Sequence, residues 1–151
     1  TTDSTEWIDA CAYDGVSAAL IDSLALPTPW PHPALVLGQD IVFARPAASD
    51  SAFQGLEVWT LLNTGRFARK SLLGLGTCNN LKSLGALLVA SGTDSSYTLL
   101  DATDTAQLRV VGAGQLGGCL YGDVNHADGA LTRGLWVPLT DYGVGFLGLK
   151  P

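Results

Sequence analysis

Charge is what this chain has least of. Lys and Arg number 8 and Asp and Glu 14, together 15% of 151 residues, where an ordinary soluble domain carries roughly 25%. The net charge of −6 and the scatter of the cations argue against gripping a phosphate backbone, which needs clustered Lys and Arg. The densest basic stretch, Arg66, Arg69 and Lys70, reads as a solvated strand or turn. Glutamate is almost missing, with Glu6 and Glu57 against twelve Asp. Asp favours turns and caps while Glu favours helix interiors, so this imbalance points to loops and strands. Histidine is confined to His32 and His126, and the three cysteines, Cys11, Cys78 and Cys119, include no Cys-x-x-Cys. Those residues fit no structural zinc spacing. The cysteines read as small buried hydrophobes, with at least one free thiol.

Long apolar runs are absent too. Leu84 to Ala90, with a glycine inside, is far short of the ~20 residues of a membrane span. Thr1-Thr2-Asp3-Ser4-Thr5-Glu6 has neither the positive start nor the apolar stretch of a signal peptide. An initial threonine is compatible with removal of an initiator methionine or of a signal. What the chain does have is a hydrophobic share of 47% and 18 glycines. That composition excludes disorder, a collagen repeat and a disulfide scaffold, and the length suits about one domain.

The expected organisation is an N-terminal helical segment and proline-rich arm over 1–34, followed by a β domain over 35–151. Asp3 and Glu6 have capping-box spacing, with Trp7, Ile8 and Cys11 behind them. Gly15 breaks the turn, and Val16, Leu20 and Leu24 recur at four-residue spacing. The pattern predicts one or two short helices within the first 26 residues. Pro27, Pro29, Pro31 and Pro33 then alternate with Thr28, Trp30 and His32. Prolines at every second position strip the donors from one side, giving a polyproline-type arm or a one-sided edge strand. From residue 35 the period becomes two. Strands are expected at 35–43, 56–62, 67–75, 84–90, 97–100, 107–111, 118–124, 135–140 and 144–149. Turns are expected at Asn63–Gly65, Asp101–Thr105, His126–Gly129 and Asp141–Gly143. About eight or nine short strands make a mostly β fold, a β-sandwich or a β-barrel.

No catalytic constellation emerges. Gly112-Ala113-Gly114-Gln115-Leu116-Gly117 fits a dinucleotide fingerprint, but Gly122 and Asp123 stand where the helix should run on. It reads as a glycine-rich hairpin, so no cofactor is expected. Asp123-Val124-Asn125-His126-Ala127-Asp128 starts like a calcium loop. Ala127, Asp128 and Gly134 then fill positions 5, 6 and 12, which should be a ligand, a glycine and a Glu. A polar turn is the better account, and a weak surface cation on Asp123, Asn125 and Asp128 stays open. His126 could pair with Asp123 or Asp128, yet no Gly-x-Ser-x-Gly accompanies it, and Glu6 and Glu57 have no obvious carboxylate partner. Trp59 and Trp136 lie in strands and are expected in core or subunit packing. Trp7 and Trp30, with Pro27, Pro29, Pro31 and Pro33, are the candidates for contact with a neighbouring chain.

Few charges and a mean hydropathy of +0.26 imply a surface shared with copies of the same chain. In the arm at Pro27–Pro33 and the neutral strands from Leu135 to Leu149, the chain resembles the small β-structured accessory proteins of tailed-bacteriophage virions, capsid decoration and head–tail proteins among them. The resemblance is one of composition and architecture. It implies a non-enzymatic structural component in the virion, partnered by copies of itself and other virion proteins, with no nucleic acid or membrane bound directly. An extracellular carbohydrate-binding β-sandwich, assisted by calcium, is the alternative. A small enzyme built on His126 is a third reading.

Overall fold

A computed structural model describes residues 6–26, 34–45, 54–76, 78, 80–92, 96–115, 128–130, 134–138 and 144–147. These form antiparallel strands and one 3-10 turn at Thr105–Gln107. None of the described residues lies in an α-helix, and so no described helix is long and apolar enough to cross a membrane.

The expected N-terminal helices are instead a hairpin of β1 (Glu6–Tyr13) and β2 (Ala18–Leu26). A spacing of four residues is a multiple of the strand period as well as close to the helical one, so Leu20 and Leu24 fit either. The turn decides between them. Asp14 Oδ1 accepts hydrogen bonds from the amides of Val16 (2.9 Å) and Ser17 (2.8 Å), while Ser17 Oγ donates to Oδ2 at 3.0 Å. This Asx-type loop folds the chain back before a helix can propagate. The same bonds, those from Ser17 first, hold the Asp14 carboxyl below its ordinary range. Asp3, the expected cap, and the proline arm at 27–33 lie outside the described residues.

Two four-stranded meanders follow. The first holds β3 (Ala34–Leu37), β4 (Asp40–Arg45), β5 (Gly55–Leu61) and β6 (Phe67–Gly74), side by side in chain order. The second holds β7 (Asn80–Leu84), β8 (Leu87–Ser91), β9 (Ser96–Asp101) and β10 (Arg109–Gln115), again in chain order. Two expected strands are really hairpins. The stretch 35–43 turns at Gly38-Gln39, pairing Leu37 with Asp40, and the stretch 84–90 turns at Gly85-Ala86, pairing Leu84 with Leu87. Gly38 and Gly85 have φ of 65° and 63°, the left-handed backbone that a two-residue hairpin loop demands. A last sheet orders β11 (Asp128–Ala130), β12 (Gly134–Pro138) and β13 (Val144–Leu147). β11 begins within the expected turn at 126–129. The expected strand at 118–124 and turn at 141–143 lie outside the described residues.

The two meanders share one core. Val42, Ala44, Leu56 and Val58 from the first meet Leu81, Leu88, Ala90 and Leu100 from the second. A fully buried leucine or valine contributes roughly 1.5–3 kcal/mol, so this layer is the main source of stability. A second cluster lies on the opposite face of the first meander, where Leu24 and Leu26 of β2 bury Phe43, with Ile8, Ile41, Trp59 and Phe67 around it. Phe67 N also donates to Asp22 Oδ2 at 2.8 Å, tying β2 to the start of β6.

Candidate functional site

The hairpin β1–β2 buries one face and offers the other to solvent. Cross-strand partners share a face, so the pairs Ile8–Leu24 and Ala10–Asp22 mark the inner side. Trp7–Ala25, Asp9–Ser23, Cys11–Leu20 and Tyr13–Ala18 mark the outer one. A bulge between Ala10 and Cys11 leaves Ile21 unpaired without changing that alternation. Ser23 Oγ donates to Asp9 Oδ1 at 2.7 Å on the outer side. There Trp7 is 57%, Leu20 62% and Tyr13 71% exposed. Trp7, a sequence candidate for contact with a neighbour, therefore stands on an open face whose apolar side chains flank the hydrogen-bonded Asp9–Ser23 pair. Trp30, Pro27, Pro29, Pro31 and Pro33 lie outside the described residues.

A comparable face occurs on the last sheet. Trp136 and Phe146 are opposite one another on β12 and β13, with ring centroids 4.8 Å apart and planes tilted by 52°. Both are about half exposed. Of the two positions expected for Trp136, core or subunit packing, its exposure overturns the core one. Trp59 is half-buried in the second cluster, and its buried Nε1 has no hydrogen-bond partner.

The polar groups are largely spent on structure. Lys70 Nζ donates to Asp40 Oδ2 (2.8 Å) and to Thr105 Oγ1 (2.7 Å), and Thr105 Oγ1 donates to Asp40 as well. Ser71 Oγ adds a bond to the Thr105 carbonyl at 2.7 Å. This knot joins β4 and β6 of one meander to the 3-10 turn of the next. Burial pushes the Asp40 carboxyl up, but hydrogen bonds from Lys70, Thr105 and Thr60 outweigh it and leave the group below its ordinary range. Glu57 is buried between Arg45 (3.9 Å) and Arg69 (3.8 Å). Two cations of the basic stretch are therefore held by carboxylates of the same sheet, Arg69 by Glu57 of the adjacent β5 and Lys70 by Asp40 of β4, one strand further on.

A shallow cleft of about 230 Å³ is lined by Asp101, Thr103, Asp104, Gln107 and Arg109. The Thr103 hydroxyl and amide, then Arg109, hold the Asp101 carboxyl down at about 2. Arg109 Nη2 sits 2.5 Å from Asp101 Oδ2, so the cleft's one guanidinium is already paired. Cys78 is buried, and burial pushes its thiol up to about 11, whereas Cys11 is exposed on the hairpin. Among the described residues no three His, Cys, Asp or Glu side chains gather to hold a metal ion. Asp123, Asn125, His32, His126 and Cys119 lie outside the described residues, and Asp128 opens β11. Gly112 and Gly114 of the glycine-rich motif are in β10, in strand geometry.

The two exposed aromatic faces were only half legible. Trp7 is legible as a contact residue, but the sequence pattern puts Leu20 on a helix and does not single out Tyr13, and strand pairing is what brings the three to one face. No protein family, curated protein or solved structure matches the chain.

Proposed function

We propose that this protein is a non-enzymatic assembly component whose layered antiparallel β core carries two exposed aromatic faces for association with copies of itself. The observation that carries the reading is the pair of open aromatic faces, Trp7 with Leu20 and Tyr13 on the first hairpin and Trp136 with Phe146 on the last sheet. Exposed apolar surface of that kind costs solubility unless a partner covers it. The scarcity of charge points the same way, because charged residues are depleted at the centre of subunit interfaces. In a virion, the setting that the chain's composition resembles, such a module would join its copies on the particle surface or at a connector.

Light scattering at several protein concentrations tests this. A defined oligomer is the expected result, and a monomer throughout the range would remove the reading. The Trp136–Phe146 pair also supports a second reading, a carbohydrate-binding module, since exposed aromatic rings stack against sugars. Glycan binding that Trp136→Ala abolishes, by a protein that stays monomeric with and without calcium, would favour that alternative.

A further inference from the structure

The two meanders are built alike, and they are in phase with what flanks them. Each opens with a Leu-Gly two-residue hairpin, at Leu37-Gly38 and Leu84-Gly85, with the same left-handed glycine and the same pairing across the turn. The two glycines are 47 residues apart, a spacing suited to one four-stranded sheet per repeat. Contacts between sheets repeat as well: β2 lies against β6, β3 against β7, and β7 against β11. In that phase β2 and β6 both hold the fourth-strand position, while β3, β7 and β11 hold the first. The hairpin β1–β2 therefore supplies strands three and four of a preceding sheet, and β11–β13 supply strands one to three of a following one.

Burial agrees with a stack rather than a single pair of layers. The first meander is covered on both faces, by Val42, Ala44, Leu56 and Val58 on one side and by Phe43 beneath Leu24 and Leu26 on the other. The second is too: Leu88 and Leu100 face the first meander, and Leu87, Val89 and Leu99, on the opposite side of the same strands, are also fully buried. Sheets of four strands stacked face to face in chain order, with first strands adjacent, make a radially repeating array.

We infer that these sheets are successive blades of such an array, and that a second copy of the chain continues it head to tail. The Trp136–Phe146 face of one copy would cover the Trp7–Leu20–Tyr13 face of the next. The occupant follows from the packing already present. Within the chain β2 packs on one face of the first meander, whose other face packs on the second, and β11 meets β7 beyond it; the outer face of β1–β2 and the Trp136–Phe146 face of β12–β13 are left open. Such an interface is heterologous, and it closes into a ring when the rotation allows. The inference rests on the self-association proposed above and adds its direction.

Mixing tests the direction. Trp7→Asp spoils only the β1–β2 face, and Trp136→Asp only the β12–β13 one. Each variant alone should be a monomer by light scattering. An equimolar mixture should give a dimer and nothing larger, because one sound face of each kind remains. Complementation itself reports that both variants are folded; a variant that loses its far-UV β signal is replaced by Tyr13→Ser or Phe146→Ser. Variants that still assemble alone, or a mixture that stays monomeric while the wild type assembles, would overturn the head-to-tail arrangement and leave self-association standing. A monomeric wild type would overturn both.

Discussion

Asp40 illustrates how single residues hold neighbouring sheets together. Its carboxylate is buried, yet Lys70 and Thr105 reach it from β6 and from the turn after β9. Burial favours the neutral acid, and the hydrogen bonds, led by Lys70, reverse that preference and depress the folded-state value. A depressed carboxylate contributes stability that is present above its unfolded value and lost as pH falls through the folded one. Asp40→Asn keeps an accepting oxygen but loses its charge, and should cost about 1 kcal/mol near neutral pH, the difference between charge-assisted and neutral hydrogen bonds. Urea titrations would show the wild type losing that margin as pH falls through and below the ordinary carboxylate range, with a flatter profile for the variant. A variant with unchanged midpoint and unchanged acid slope would show that the knot is ornamental. None of this was legible in the sequence. Asp40 stood inside what read as one continuous strand, and Lys70 in what read as a solvated basic stretch.

At the level of elements, the hairpin turns decided which expectations held. Strands are legible where several turn-forming residues bound them, as Asn63–Gly65 separates β5 from β6 and Asp101–Thr105 closes β9. They are missed where a two-residue turn is marked by little more than a glycine, so that the strand pattern runs through it. That is why 35–43 and 84–90 read as single strands. The first 26 residues failed for another reason, since spacings of four residues serve a strand as well as a helix. Gly38 and Gly85 are the residues that could have corrected the reading. A Cβ at either would meet nothing within 4 Å, so the cost of a side chain there is backbone strain alone. Gly38→Ala and Gly85→Ala should each destabilise by about 1 kcal/mol, and Asn, which tolerates the left-handed region, should cost less than Ala at both. Thermal melts of the four variants check this. Unequal losses at the two sites would mean that the loops are not equivalent parts of one repeat.

For the whole molecule, the repeat escapes the sequence because equivalent positions carry different side chains. Asp40 and Leu87 both follow a two-residue loop, and little beyond Leu-Gly and the apolar character is shared. What recurs is spacing, pairing and contact, which are properties of the folded chain. The shortage of charge, by contrast, was legible from composition and has a consequence for assembly. The faces proposed to meet are aromatic and aliphatic, so their association draws on burial of apolar surface rather than on ion pairs. Two copies that each carry a net charge of −6 repel one another, and salt screens that repulsion. Raising NaCl from about 0.05 to about 0.5 M should therefore leave the oligomer intact or tighten it. Warming from about 5 to about 25 °C should strengthen it, because apolar burial weakens in the cold. Light-scattering mass recorded across both series decides the matter. Dissociation by salt would point to an ionic interface, and attention would then move from Trp7 and Trp136 to the acidic groups of the β9–β10 loop.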